Sequence, residues 1–401
     1  MHLFELTCRT NNPPNRTMLI EESKTSSTLA ASLEFDPGNV AWVAVKDGRS
    51  VRRKLRNTSV FWVARRLVSV AILSTVITST TTKADTFGSG FNQFTLDFVT
   101  VGDAGNPSDT GTTGSYSSPY GAVAYDFRIG TTEISRGAIQ SANAAGNLGI
   151  TLTTVPFWNR GNAGPDPAAG VSWNEAARFV NYLNTSTGSA PVYKFAVQPG
   201  QSGYSANADI QLWNSSDVGF DPTNSFRNLN ASYFLPNENE WYKAAFYSGS
   251  GSTYFDYAGS DLVPTSVVSG TISGTAVYNL SFEIGPAPVT QAGGTSFYGA
   301  RGMAGNLGEY TESAFDGIND FGSEQRAVRD AYYNTTGPTE FRSSFRQGLS
   351  ANSENINTGF RVAAVVPEPK ITSALVAAGL LCLIARVRRC RRSRKRFGAA
   401  D

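Results

Sequence analysis

At 401 residues and 40% apolar composition, the chain is long enough for one large or two average domains and can bury a sizeable core. Its formal net charge of +2 hides a division: 24 acidic and 13 basic residues lie between Asp85 and Val366, whereas the remainder carries 21 basic and 8 acidic ones. An acidic centre argues against nucleic-acid binding, because phosphate contacts need a basic face. With cysteine only at Cys8, Cys382 and Cys390 and histidine only at His2, that centre also excludes disulfides and any Cys/His or Ser/His/Asp triad.

Residues 1–50 are polar, show no periodic apolar face, and contain the only methionines before Met303. They read as a spurious or disordered leader, with translation starting near Val51; a genuine N-terminal function is the alternative. Residues 51–84, "VRRKLRNTSVFWVARRLVSVAILSTVITSTTTKA", join a basic front to an apolar run, Leu67 to Ile77, and a polar tail. That is the pattern of a secretory signal peptide, too short to span a bilayer, with a buried strand as the other reading.

The central region opens with strand-like alternation in "FNQFTLDFVTVG" (91–102), then a Gly/Ser/Thr/Pro loop. In "AVAYDFRIGTTEIS", Val123, Tyr125, Phe127 and Ile129 are expected on one face of a strand. Two helices follow. In "VSWNEAARFVNYLN", Ser172 and Glu175 have capping-box spacing and Trp173, Ala176, Val180 and Leu183 form an inner face; in "LPNENEWYKAAFY", Asn237 and Glu240 take the same roles, with Trp241, Ala244 and Ala245 inward. Beyond Tyr247 the chain is mostly Gly/Ser/Thr-rich loop, ending in a predicted strand over 358–366, "TGFRVAAVV". This mixture points to an irregular α+β domain, with no repeat of fixed period, no second domain and no phosphate-cradling glycine loop.

At the C-terminus, Pro367, Glu368 and Pro369 precede an apolar segment, Ile371 to Ala385, and a basic cluster, Arg386 to Arg396. The arrangement over residues 366–396 resembles the PEP-CTERM sorting signal of exported bacterial proteins. That resemblance implies an exosortase-type processing partner and an inner-membrane segment that anchors the chain transiently or permanently; a plain transmembrane anchor is the alternative.

The motifs "YDFRIGTTEIS", "GVSWNEAARFVNYLN", "FLPNENEWYKAAFY", "YGARGMAGNLGEYTES", "RAVRDAYY" and "NTGFRVAA" occur in that order. Together they resemble the successive motifs of the formylglycine-generating enzyme, or sulfatase-modifying factor, family. The resemblance implies one domain over 85–365 with C-type-lectin-like topology, few short helices and strands, and long loops. Enzymes of that family hold copper with two thiolates, and relatives in ergothioneine synthesis hold iron with histidines. The corresponding stretch, 326–348, "RAVRDAYYNTTGPTEFRSSFRQG", has neither residue type, so copper, iron and both catalytic chemistries are not expected.

The family also binds structural calcium at a "GN-x-W-E-W" loop. Carried onto "GNLGEY", the resemblance implies carbonyl ligands from Gly305 and Leu307 and a carboxylate from Glu309, while Gly302 replaces the usual Asp or Asn, and Gly308 and Tyr310 the tryptophans. A second calcium site is implied at Asn279 and Leu280, with Glu283 as the nearest acid. For Glu309 the other readings are a hydrogen-bonded structural carboxylate or a catalytic one. Arg361 is expected in a buried ion pair; Arg342 and Arg346 either do the same or, with Tyr310, Tyr332 and Tyr333, line a cleft.

The functional expectation is an exported, non-catalytic binding or structural protein of the cell envelope or exterior, with a polysaccharide or envelope protein as ligand by analogy of fold. The alternative is an enzyme using paired carboxylates among Glu309, Glu312 and Asp316. Two of these acids facing each other across an open cleft would favour the enzyme; their dispersal would favour the binding module.

Overall fold

The computed structural model describes residues 83–111, 119–249 and 253–367 with side chains, and five strands within 6–54 by their backbone alone. Residues 55–82 of the expected signal peptide, and Glu368, Pro369 and the remaining sorting signal, lie outside the described residues. The chain divides into two compact units, 1–79 and 80–401. In the first, strands β1 (Leu6–Thr7), β2 (Arg16–Glu22), β3 (Leu29–Asp36), β4 (Asn39–Lys46) and β5 (Arg49–Lys54) form an antiparallel sheet in chain order.

The second unit carries the site. Its larger sheet has the order β6 (Lys83–Phe87), β7 (Phe94–Val101), β8 (Phe127–Gly130), β16 (Ala363–Val365) and β9 (Tyr233–Phe234), with every pairing antiparallel. The last strand therefore enters between two strands formed much earlier in the chain. Phe98, Val101, Phe127, Ile129 and Ala363 are buried in the core that this sheet covers.

A second sheet has the order β14 (Gln347–Ser350), β13 (Gln325–Arg329), β12 (Gly308–Ala314) and β15 (Thr358–Phe360). Strand β12 pairs antiparallel with β13 and parallel with β15. A two-residue parallel pair, β10 (Thr265–Ser266) and β11 (Thr275–Ala276), is the only regular structure in the loop-rich stretch between Tyr257 and Ser281.

Helix α2 (Trp173–Ser186) starts as its sequence dictates. The Ser172 hydroxyl accepts from Glu175 N, and the Glu175 carboxylate accepts from Ser172 N, so two donors with no helical partner are satisfied. Helix α3 (Glu238–Phe246) repeats the device with Asn237 and Glu240. Trp173 and Trp241 are fully buried, as their spacing predicts.

Three local expectations change. Helix α1 (Arg136–Gly146), capped by Ser135 and closed by left-handed Asn147, is not anticipated, because two glycines and a polar run obscure its apolar period. Tyr125 lies outside β8 and is 45% exposed, while Phe127 and Ile129 are buried. The single strand predicted over 358–366 is two, β15 and β16, which enter different sheets with Arg361 at the break.

Candidate functional site: a closed turn and an open cleft

The GNLGEY turn is tight because two backbones meet there. Gly305 has φ 76°, and a Cβ on it would stand 2.3 Å from Val277 O, so only glycine fits. Asn306 is also left-handed at φ 66°. Its Nδ2 donates to Glu133 Oε2 at 2.7 Å, and its Oδ1 accepts from Ala287 N at 2.7 Å.

From this turn Glu309 points into the interior at 0% exposure. Arg361 reaches it with both ends of its fork, Nη2 to Oε1 at 2.5 Å and Nε to Oε2 at 2.6 Å, and Trp241 Nε1 donates to Oε2 at 2.6 Å. The rest of the Arg361 guanidinium donates to the carbonyls of Gly130, Arg301 and Gly302. A single guanidinium thus ties β8, the turn and the break between the two last strands together.

Two further carboxylates lie in this interior, and the sequence reading assigned them no role. Glu133 is 2% exposed and accepts from Asn306 and from Leu307 N. Burial first, then the charge of Glu309, push its carboxyl up to about 8, against the opposing pull of Arg361. A Cβ at Gly302 would lie 3.4 Å from Glu133 Oε2, so Glu133 fills the space beside that glycine. Asp330, left-handed at φ 71° and 5% exposed, has no well-formed hydrogen bond to either oxygen. Burial holds its carboxyl well above the usual range, and the nearby amides of Ala331 and Gly305 offset this only in part. Among the described residues, no three His, Cys, Asp or Glu side chains come together as a metal site.

Asn279 and Leu280 sit in the neighbouring turn. Asn279 is left-handed at φ 56° and donates its amide to Thr335 O; Leu280 N donates to Tyr333 O. Tyr333 N in turn donates to Asn306 O, so the Tyr333 segment links the two turns. The Glu283 carbonyl accepts from Asn159 N.

The remaining acids separate. Glu312 is fully buried and pairs with Arg227 at 2.9 Å, with Tyr193 OH and Asn224 also donating to it. Burial raises its pKa despite Arg227. Arg227 also holds Glu240 through two bonds of 2.9 Å and lies 3.8 Å above the Phe234 ring. Asp316 is exposed. Arg329 and Arg346 converge on Glu238 at 2.7 and 2.8 Å, whereas Arg342 is about half exposed. Tyr310 and Tyr333 are buried, with hydroxyls donating to Ser353 O and Phe282 O, so both are core residues; half-buried Tyr332 bonds Gln347.

Above the Arg227 network lies an open cleft of about 720 Å³, within the usual range of small-molecule sites. It lies between Tyr125 and Asp126, the 221–231 loop, the start of α3, the end of β12 and the chain leaving β16.

Three solved structures resemble the domain. The Treponema denticola variable protein 1 is 19% identical, with a TM-score of 0.49 over 71% of this chain and all of that one. CarF is 20% identical, with a TM-score of 0.47 over 68% of this chain and 98% of its own. PvdO from Pseudomonas aeruginosa is 15% identical, with a TM-score of 0.44 over 71% of this chain and 100% of its own. No curated protein matches the chain. Residues 56–366 match the sulfatase-modifying factor enzyme 1-like domain, and the chain, with its mixed α+β architecture and ordered motifs, belongs to that formylglycine-generating-enzyme-like family.

Proposed function

We propose that the chain is an exported, non-catalytic member of its family, acting as a binding or structural module of the bacterial cell envelope and sorted by an exosortase through its C-terminal segment. The observation that carries the reading is the separation of Glu309, Glu312 and Asp316 from one another. Glu309 is closed by Arg361, Glu312 is closed by Arg227, and Asp316 is exposed on its own. None is paired with another as general acid and base require. The 83–367 region also lacks Cys and His, the side chains through which the family's enzymes hold copper or iron. The test is to supply purified full-length chain with a cysteine peptide, oxygen and either Cu(I) or Fe(II) and follow peptide mass. No change is expected; oxidation above the metal-only background would overturn the reading.

Within this reading, Arg361 supplies at the 305–309 turn the positive charge for which the resemblance implies calcium. Calcium needs six to eight oxygen ligands, and both Glu309 oxygens already accept from Arg361 or Trp241. The unfolding midpoint is therefore expected to be the same in calcium and in chelator. Calcium at a hundred times its dissociation constant would add about 2.7 kcal/mol, so a rise would mean that it displaces or supplements Arg361 or binds at Asn279 and Leu280.

A further inference from the structure

We infer that the cleft above Arg227 binds a neutral oligosaccharide, an assignment that rests on the binding-module reading and gives its ligand a chemical class. The floor presents no free positive charge. The Arg227 guanidinium is spent on Glu240, Glu312 and Leu235 O and is covered on one face by Phe234. An anionic ligand would therefore meet a neutralised arginine and, at the rim, the carboxylates of Asp126 and Asp221.

Four rim side chains are each anchored on one side and open on the other. Asp221 Oδ1 accepts from Thr223 N and Oγ1, and Asp126 Oδ1 accepts from Ala104 N. Asn239 Oδ1 accepts from Gly121 N, and Asn237 Oδ1 accepts from Glu240 N. The opposite atoms, two carboxylate oxygens and two amide NH2 groups, have no partner among the described residues. The cleft thus offers acceptors and donors side by side, each held in place before a ligand arrives. A hydroxyl donates and accepts at once, so a run of adjacent hydroxyls matches this set, whereas a purely cationic ligand would leave the amide donors unused.

An apolar platform completes the match. The Tyr125 ring is 45% exposed, yet its orientation is fixed. Its hydroxyl donates to Glu240 Oε1 at 2.6 Å, and Phe127 meets it edge-on with 6.4 Å between centroids. A rigid, half-exposed ring beside amides and carboxylates suits a molecule with an apolar C–H face and a polar edge, as a pyranose has.

The test is calorimetric titration of the full-length protein with cellotriose, maltotriose and chitotriose, and with spermidine as the cationic probe. At least one trisaccharide is expected to bind, and Tyr125→Ala to weaken it about tenfold. Asn239→Asp keeps the acceptor for Gly121 N but removes the free donor, so it gives a comparable loss without disturbing the Tyr125 packing. Failure of all three trisaccharides to bind folded protein would overturn the assignment. So would binding of spermidine alone, or saccharide binding that neither variant weakens. Cleavage of a bound trisaccharide, seen by chromatography, would instead overturn the non-catalytic reading and leave the cleft assignment standing.

Discussion

Arg361→Met is expected to lower the stability of the domain by about 3–5 kcal/mol, the range for removing one partner of a buried ion pair. The cause is the charge left behind. Glu309 is fully buried, and its two oxygens would keep only the Trp241 indole as partner. Three carbonyls, those of Gly130, Arg301 and Gly302, would lose their donor as well. A loss of that size is a large fraction of the total stability of an ordinary domain. Urea unfolding would measure it. Arg361→Lys should fall between, since an ammonium keeps the charge but not the bidentate fork. Adding Glu309→Gln to Arg361→Met should recover part of the loss, because the unpaired charge is then gone. An Arg361→Met midpoint close to that of the unchanged protein would show that the pair does not hold the turn.

Raising the pH from 5 to 8 should destabilise the protein. Glu133 is pushed from the ordinary 4.5 up to about 8 by burial and by Glu309. Between those two values the folded chain binds a proton that the unfolded chain has released. The stabilisation is complete below about 4.5 and is lost as pH climbs toward 8. Within that window each pH unit removes up to ~1.4 kcal/mol. Asp330, also raised by burial, acts in the same direction. Thermal midpoints from pH 5 to 8.5 would trace the decline, and Glu133→Gln should flatten much of it. A midpoint that rises over this range would mean that Glu133 is ionised throughout and compensated by other groups.

The parts of the molecule legible in the sequence are those whose causes are local. Ser172 with Glu175, and Asn237 with Glu240, announce two helices because both partners of each cap lie within one turn. The family and its α+β domain are legible because six short motifs keep their order over most of the chain.

What was missed has distant causes. Tyr125 alternates with its neighbours like a strand residue, but its hydroxyl is captured by Glu240, 115 residues away, which turns the ring to the cleft. The stretch 358–366 reads as one strand because nothing local reveals that Arg361 must leave the ladder to meet Glu309. Glu133 drew no role from the sequence, because its partners lie more than 170 residues on. A buried acid gives no periodic signal, so only tertiary packing discloses it.

The insertion of β16 between β8 and β9 has a kinetic consequence. Ala363 pairs with Ile129 on one side and Phe234 on the other, so the larger sheet has a gap until residues 363–365 are made. A chain growing from its N-terminus can cap its helices early. It must nevertheless hold two unsatisfied strand edges apart while more than a hundred further residues are added. Contacts this remote in sequence make for slow, late closure, and open edges of this kind are where partly made chains pair with one another. The larger sheet is thus completed only when β16 slots between β8 and β9.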